Sequence, residues 1–227
     1  MGSPRTNRVA IGCLTALLVS AGCAHRAVAP AFALSVHPGS TVLLLTPLVT
    51  VTWGKANEID ERASQAASEN VGRALKWYLE QERGLKVVSP TSTPEQTARA
   101  DELYARVAHV RRKLQRDFEN HGRLAQRLPP GITIHSIEED LSPASADALV
   151  VVQGSDHVSD LLELGEQIFA GKAAGVTYLD LIILAPSGDV IFYDELGEEG
   201  MCFLTNQADA SRFVADLASY MPRAADR

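Results

Sequence analysis

Three runs of aliphatic residues, many of them β-branched, constrain the fold of this 227-residue chain more than any other feature. STVLLLTPLVTVTW, residues 40–53, is too short and too β-branched for a core helix of usual length, and predicts a strand buried on both faces that breaks near Pro47. ADALVVVQG, residues 146–154, predicts a second buried strand. VTYLDLIILAPSGDVIFYDE, residues 176–195, predicts a hairpin, because Pro186 presets the turn and Gly188 can take the left-handed position that closes it.

Amphipathic segments alternate with these strands. Residues 57–84 carry apolar side chains at helical spacing, with Asn57 as the predicted N-cap and Gly84 as the end, and LKVVSP at 85–90 predicts a short strand. A strand, a helix and a strand in this order predict a βαβ unit with parallel strands. Further helices are predicted over 156–171 and 209–221. The pattern predicts a single α/β domain over 40–221, with a mixed sheet of about five strands covered by helices, and a C-terminal tail over 222–227.

A helical insertion over 94–145 contains the longest amphipathic stripe, at about 94–128. The stripe predicts one long helix that projects and binds a partner through Val110, Leu114, Phe118 and His121. Its basic residues favour an acidic partner surface, and a homo-oligomer is the other possible assembly. The competing interpretation is that Gly122 divides the segment into two helices packed on their own domain.

The N-terminus is typical of a secretory signal. Arg5 and Arg8 precede an apolar run over 9–19, which is about half of the ~20 residues that a membrane-spanning helix needs. Small residues and Cys23 follow, so residues 1–22 predict a signal peptide; the competing interpretation is a buried N-terminal helix. Residues 23–39, rich in alanine and containing Pro30 and Pro38, predict a tether.

VSAGC, residues 19–23, resembles the lipobox of bacterial lipoproteins. The resemblance implies that Cys23 carries lipid, including palmitate, and that the chain is anchored to a membrane. Ala24 stands where aspartate would imply retention at the inner membrane, so the resemblance implies the periplasmic face of the outer membrane.

The order of VLLLTPLV, GLKVVSP, ADALVVVQG and LIILAPSGDVIFYDE resembles a group of envelope lipoprotein domains. The group comprises the curli secretion-pore lipoprotein, the penicillin-binding-protein activator lipoproteins and the N-terminal domain of TolB. The resemblance implies a non-enzymatic adaptor or assembly module in the envelope, with a protein partner and no catalytic residues to carry over.

No catalytic or nucleotide-binding motif in the sequence indicates a different function. The sequence has no G-x-S-x-G, P-loop, G-x-G-x-x-G or H-E-x-x-H, and it predicts no catalytic, cofactor or metal site. The alternative is an envelope hydrolase with an unrecognised site around His157, in GSDHVSD, or around Cys202. A helix-capping turn at Ser155 and Asp156 and a buried inert thiol at Cys202 are the favoured interpretations.

The net negative charge of the chain limits the classes of partner that it is expected to bind. The formal net charge of −7 argues against nucleic acid. The acidic stretch DELGEEGMC, residues 194–202, predicts a solvated loop. Loss of Cys13 with the signal and lipidation of Cys23 would leave Cys202 as the only thiol, so no intramolecular disulfide is expected.

Overall fold

The computed structural model describes residues 25–90, 93–121, 128, 132–159, 175–200 and 202–222. These residues form a mixed α/β fold around one eight-stranded sheet. The strands are β1 His25–Val28, β2 Thr41–Leu44, β3 Leu48–Trp53, β4 Glu58–Ile59, β5 Lys86–Val88, β6 Ala148–Val158, β7 Gly175–Leu184 and β8 Val190–Glu199. The helices are α1 Phe32–Ser35, α2 Glu61–Gln81, α3 Pro94–His121, α4 Glu138–Leu141 and α5 Gln207–Leu217, with a 3₁₀ turn over Ser142–Ala144.

The α/β class is confirmed, but the predicted count of about five strands is too low. Pro47 divides the first apolar run into β2 and β3, as the sequence predicted near this residue. β1 and β4 are the other additions, with four and two residues. Edge strands as short as these show no apolar–polar alternation in the sequence. Their register is set by the strands beside them.

The sheet order is β1-β8-β7-β6-β2-β5, and β3 pairs with both β6 and β4. β2 and β5 are parallel, as the βαβ pattern predicted. β7 and β8 form the predicted hairpin, and Gly188 has a φ of 82° in its turn. β6 is long enough to pair with β2 through its first residues and with β3 through its last ones.

Helices cover the sheet on both faces. The apolar stripes of α2 and α5 pack against Val42, Leu44 and Val150, whereas α3 packs against Leu43 and Leu149, whose side chains alternate to the opposite face. The sheet is therefore a central layer with α2 and α5 on one side and α3 on the other.

Several predicted element boundaries were wrong. Asp60, not Asn57, caps α2, and its side chain accepts a hydrogen bond from the backbone N–H of Ala63 at 2.8 Å. Asn57 lies before the short strand β4, with a φ of 51°. The predicted helix over 156–171 does not begin at 156, because β6 continues to Val158; residues 160–171 lie outside the described residues.

The described part of the predicted tether belongs to the fold. β1 pairs antiparallel with β8, and Ala27 is only 1% exposed. In α1, Phe32 is buried, and its ring centroid lies 5.8 Å from that of Phe192. The tether prediction was wrong for these residues because their apolar side chains complete the core beside β8. Residues 1–24, which include the predicted signal peptide and Cys23, lie outside the described residues, as do residues 223–227 of the predicted tail.

Candidate functional site

The described part of the predicted interaction stripe on α3 is a core surface. Val110 and Leu114 are 3% and 0% exposed and pack with Leu149, Val151 and Ile182 of the sheet. The interface prediction was wrong for these two residues, because the second face of the sheet needs the same apolar side chains to cover it. Phe118 and His121 lie within α3, but their side chains are outside the described part of the structure.

Asp156 and His157, two residues of the hydrolase alternative, lie on opposite faces of β6. Asp156 is buried on the α2 side, where it accepts hydrogen bonds from the Thr177 hydroxyl and the Leu204 N–H, each at 2.9 Å. His157 Nδ1 lies 3.1 Å from Thr52 Oγ1 on the other face. The two side chains cannot act as a dyad. The predicted helix cap at Ser155 and Asp156 was also wrong, since both belong to the strand.

Cys202 is a buried thiol, as the sequence predicted. Burial, with a smaller contribution from the Glu198 charge, raises the pKa of Cys202 to about 11. The nucleophilic form of cysteine is the thiolate, so this group is almost entirely in its unreactive form at neutral pH.

Residues 194–199 of the acidic stretch belong to β8, so the prediction of a solvated loop was wrong for these residues. Asp194 and Glu195 are both buried, and they point to opposite faces of the strand. Each meets a residue of β1, the strand at the start of the described chain. β1 and these two carboxylates form the candidate site, which we call the N-terminal clamp: His25, Arg26, Asp194 and Glu195.

Two polar contacts hold the clamp. Arg26 Nε donates to Asp194 Oδ1 at 3.0 Å, and the same guanidinium lies 3.4 Å from the centre of the Tyr220 ring. Burial raises the pKa of Asp194 to about 7 against the opposing effect of Arg26. On the other face, His25 Nδ1 lies 3.2 Å from Glu195 Oε1. Because Asp194 is fully buried, losing Arg26 would leave it without this charged partner.

A polar network extends from the clamp into the layer beneath α3. The Tyr193 hydroxyl lies 2.6 Å from Glu195 Oε2 and 3.0 Å from Asp180 Oδ1. Arg111 of α3 forms an ion pair with Asp180. The Tyr178 hydroxyl also donates to Asp180 Oδ1 at 3.2 Å. The network therefore links β1, β7, β8 and α3 through groups that are distant in sequence.

This network favours a shared proton. Tyr193 has one hydroxyl hydrogen and can fully donate it to only one of its two carboxylate neighbours. Burial raises the pKa of Asp180 to about 7; Arg111 opposes this shift, while the Glu195 charge adds to it. A proton on Asp180 can be donated to the Tyr193 oxygen, while Tyr193 donates to Glu195. With its pKa at about 7, Asp180 binds a proton well above the pH range of an ordinary aspartate.

Sequence reasoning missed both the clamp and the network. The only available signal was the HR pair at 25–26 and the DE pair at 194–195, which are complementary in charge. Their register, with His25 opposite Glu195 and Arg26 opposite Asp194, exists only once β1 and β8 are paired.

Among the residues that the structure describes, no helix is long and apolar enough to cross a membrane. Within the same ranges, no group of three or more histidine, cysteine, aspartate or glutamate side chains is placed to hold a metal ion.

No protein family and no curated protein matches the sequence. Among solved structures, the chain is similar to the crystal structure of lipoprotein GNA1162 from Neisseria meningitidis. The sequences are 12% identical, the alignment covers 81% of this chain and 99% of the other, and the TM-score is 0.34.

Proposed function

We propose that this protein is a lipid-anchored, non-enzymatic binding or assembly component of the bacterial cell envelope. The observation that carries the proposal is the position of β1, which begins two residues after Cys23 and is clamped to the sheet. Lipid on Cys23 would then be attached within about 7 Å of folded structure. The acyl chains would hold the domain against the bilayer surface instead of at the end of a tether.

The proposed membrane is the outer membrane, with the domain on its periplasmic face. This part of the proposal rests on the lipobox resemblance and on Ala24 after the cysteine. Two or more acyl chains anchor a protein far more firmly than one, so a triacylated Cys23 would suffice without a basic membrane-binding patch. Arg26 and the half-exposed Tyr220 lie next to this point, and both side chains suit a headgroup region.

The geometry around His157 and Cys202, the two sites of the hydrolase alternative, favours a binding role over hydrolysis. Asp156 and His157 point to opposite faces of β6, and the Cys202 thiol is buried with a raised pKa. The proposed partner is a protein with an acidic surface, because Arg112, Lys113 and Arg116 are exposed on α3 in an otherwise acidic chain. Capture of crosslinked envelope proteins should weaken when these three residues are changed to glutamate.

Lipid labelling tests the anchor directly. Cells expressing wild type, Cys13→Ser or Cys23→Ser are labelled with an alkyne-bearing palmitate analogue, and membranes are washed at high salt. We expect label and membrane retention for wild type and Cys13→Ser, and unlabelled chain that is soluble or uncleaved for Cys23→Ser. Equal labelling and equal membrane recovery of wild type and Cys23→Ser would refute the proposal.

A further inference from the structure

The chain leaves two neighbouring parallel strands in diverging directions. β2 and β5 pair side by side. The chain after β2 leads through β3 to α2 on one face of the sheet, whereas the chain after β5 leads to α3 on the other face. In open α/β sheets, a crevice forms outside the carboxyl ends of strands at such a divergence, and ligands bind there.

Two adjoining cavities lie at this point. The first has a volume of about 230 Å³ and an apolar wall that includes Leu43, Leu45, Val88 and Leu103. The second, of about 460 Å³, is more polar and shares Pro90, Gln96 and Ala100 with the first. Their combined size falls within the range of ~300–1,000 Å³ that is usual for small-molecule sites.

The charges around the first cavity favour an anion. Arg99 lines its rim, is exposed, and forms no hydrogen bond or ion pair with another described residue. Asp140 also lines the cavity, but Arg106 lies 3.5 Å from its carboxylate and offsets its charge. Asp101 lines the second cavity and not the first. A negatively charged group of a ligand is therefore favoured at the rim of the first cavity, beside Arg99.

We propose that this crevice binds a small amphipathic monocarboxylate, with its apolar body against Leu43, Leu45 and Leu103 and its carboxylate at Arg99. A guanidinium recognises a carboxylate with two parallel hydrogen bonds. At ~30 Å³ for each water-sized group, the first cavity holds a body of roughly eight non-hydrogen atoms. Octanoate, with a seven-carbon tail, matches this size.

Octanoate is the probe, with 1-octanol and octylamine as ligands of the same tail without the negative charge. The protein is residues 23–227 with Cys23→Ser, which retains every described element. Methyl NMR spectra of the leucines are recorded during titration. We expect octanoate to shift the Leu43, Leu45 and Leu103 signals with a Kd below about 1 mM, and 1-octanol and octylamine to bind at least tenfold more weakly.

Three variants locate the site. Arg99→Ala should weaken octanoate at least tenfold without changing 1-octanol binding, whereas Arg62→Ala, exposed on α2 across the sheet from the crevice, should change neither. Ala100→Phe should abolish binding by filling the crevice. Ala144→Leu, at another residue that lines the first cavity, is a second blocked variant if the first fails to fold by circular dichroism.

The proposal would be overturned by an absence of leucine shifts up to 10 mM octanoate, or by equal binding of octanoate and 1-octanol. Unchanged octanoate affinity in Arg99→Ala, or unchanged binding in a folded blocked variant, would overturn it equally. None of these readouts depends on lipid at Cys23, so the result is independent of the proposed anchor.

Discussion

Replacing Leu114 by alanine tests whether the stripe of α3 belongs to the core. Leu114 is fully buried in the cluster that α3 forms with the second face of the sheet. The substitution keeps a strong helix former at this position, so it removes packing and leaves helix propensity almost unchanged. A loss of stability can therefore be assigned to the contact between the helix and the sheet.

The expected loss of unfolding free energy in Leu114→Ala follows from the burial of the leucine side chain. Three carbon atoms leave the core, which costs about 2.4 kcal/mol at ~0.8 kcal/mol each. The cavity left behind adds to this cost, and measured leucine-to-alanine substitutions in cores span ~2–5 kcal/mol. We therefore expect the free energy of unfolding to fall by about 3 kcal/mol. For a domain of this size, that corresponds to a fall in Tm of roughly 6–12 °C.

Thermal and urea unfolding of residues 23–227 with Cys23→Ser, followed by circular dichroism, give the measurement. Arg112→Ala is the matched control, because Arg112 lies on the same helix and is exposed; its free energy of unfolding should change by less than ~0.5 kcal/mol. If Leu114→Ala unfolds at the same temperature as Arg112→Ala, α3 does not cover the sheet and the packing argument is refuted. A wild-type Tm combined with lost self-association would restore the interface interpretation.

The remaining predictions concern the N-terminal clamp, the polar network and strand β6. Arg26→Ala should lower the free energy of unfolding by about 1–3 kcal/mol, because it removes the charged partner of buried Asp194; urea unfolding that matches wild type would contradict this. Asp180 and Asp194 have folded-state pKa values raised to about 7 from ordinary values near 4, so they bind protons more tightly when folded. Their contribution to stability is present below about pH 4 and is lost as pH rises toward 7. The urea midpoint of the wild type should therefore fall between pH 5 and pH 8, and that of Asp180→Asn should fall less. An equal fall of the midpoint with pH in both proteins would rule out this role for the network. Val151→Asp would bury an unpaired carboxylate at a fully buried strand position and cost several kcal/mol; an unchanged Tm would show that the residue is not in the core.

Local pattern determined much of the fold. The β-branched runs predicted the central strands, Pro47 predicted the break between β2 and β3, and Gly188 predicted the hairpin turn. The parallel pairing of β2 and β5 followed from the strand, helix and strand order. These features depend on residues close together in the chain, so the sequence contains the signal directly.

Only the tertiary structure decided which polar and apolar groups are buried together. His25 and Arg26 lie in an alanine-rich segment without periodicity, and Asp194 and Glu195 are acidic residues in a segment that resembles a solvated loop. Asp194 and Glu195 are buried, and each contacts a partly exposed side chain of β1 about 170 residues away. Likewise, the described part of the α3 stripe belongs to the core because it packs against the second apolar face of the sheet. Burial depends on which surface lies opposite, and that is a property of the folded chain.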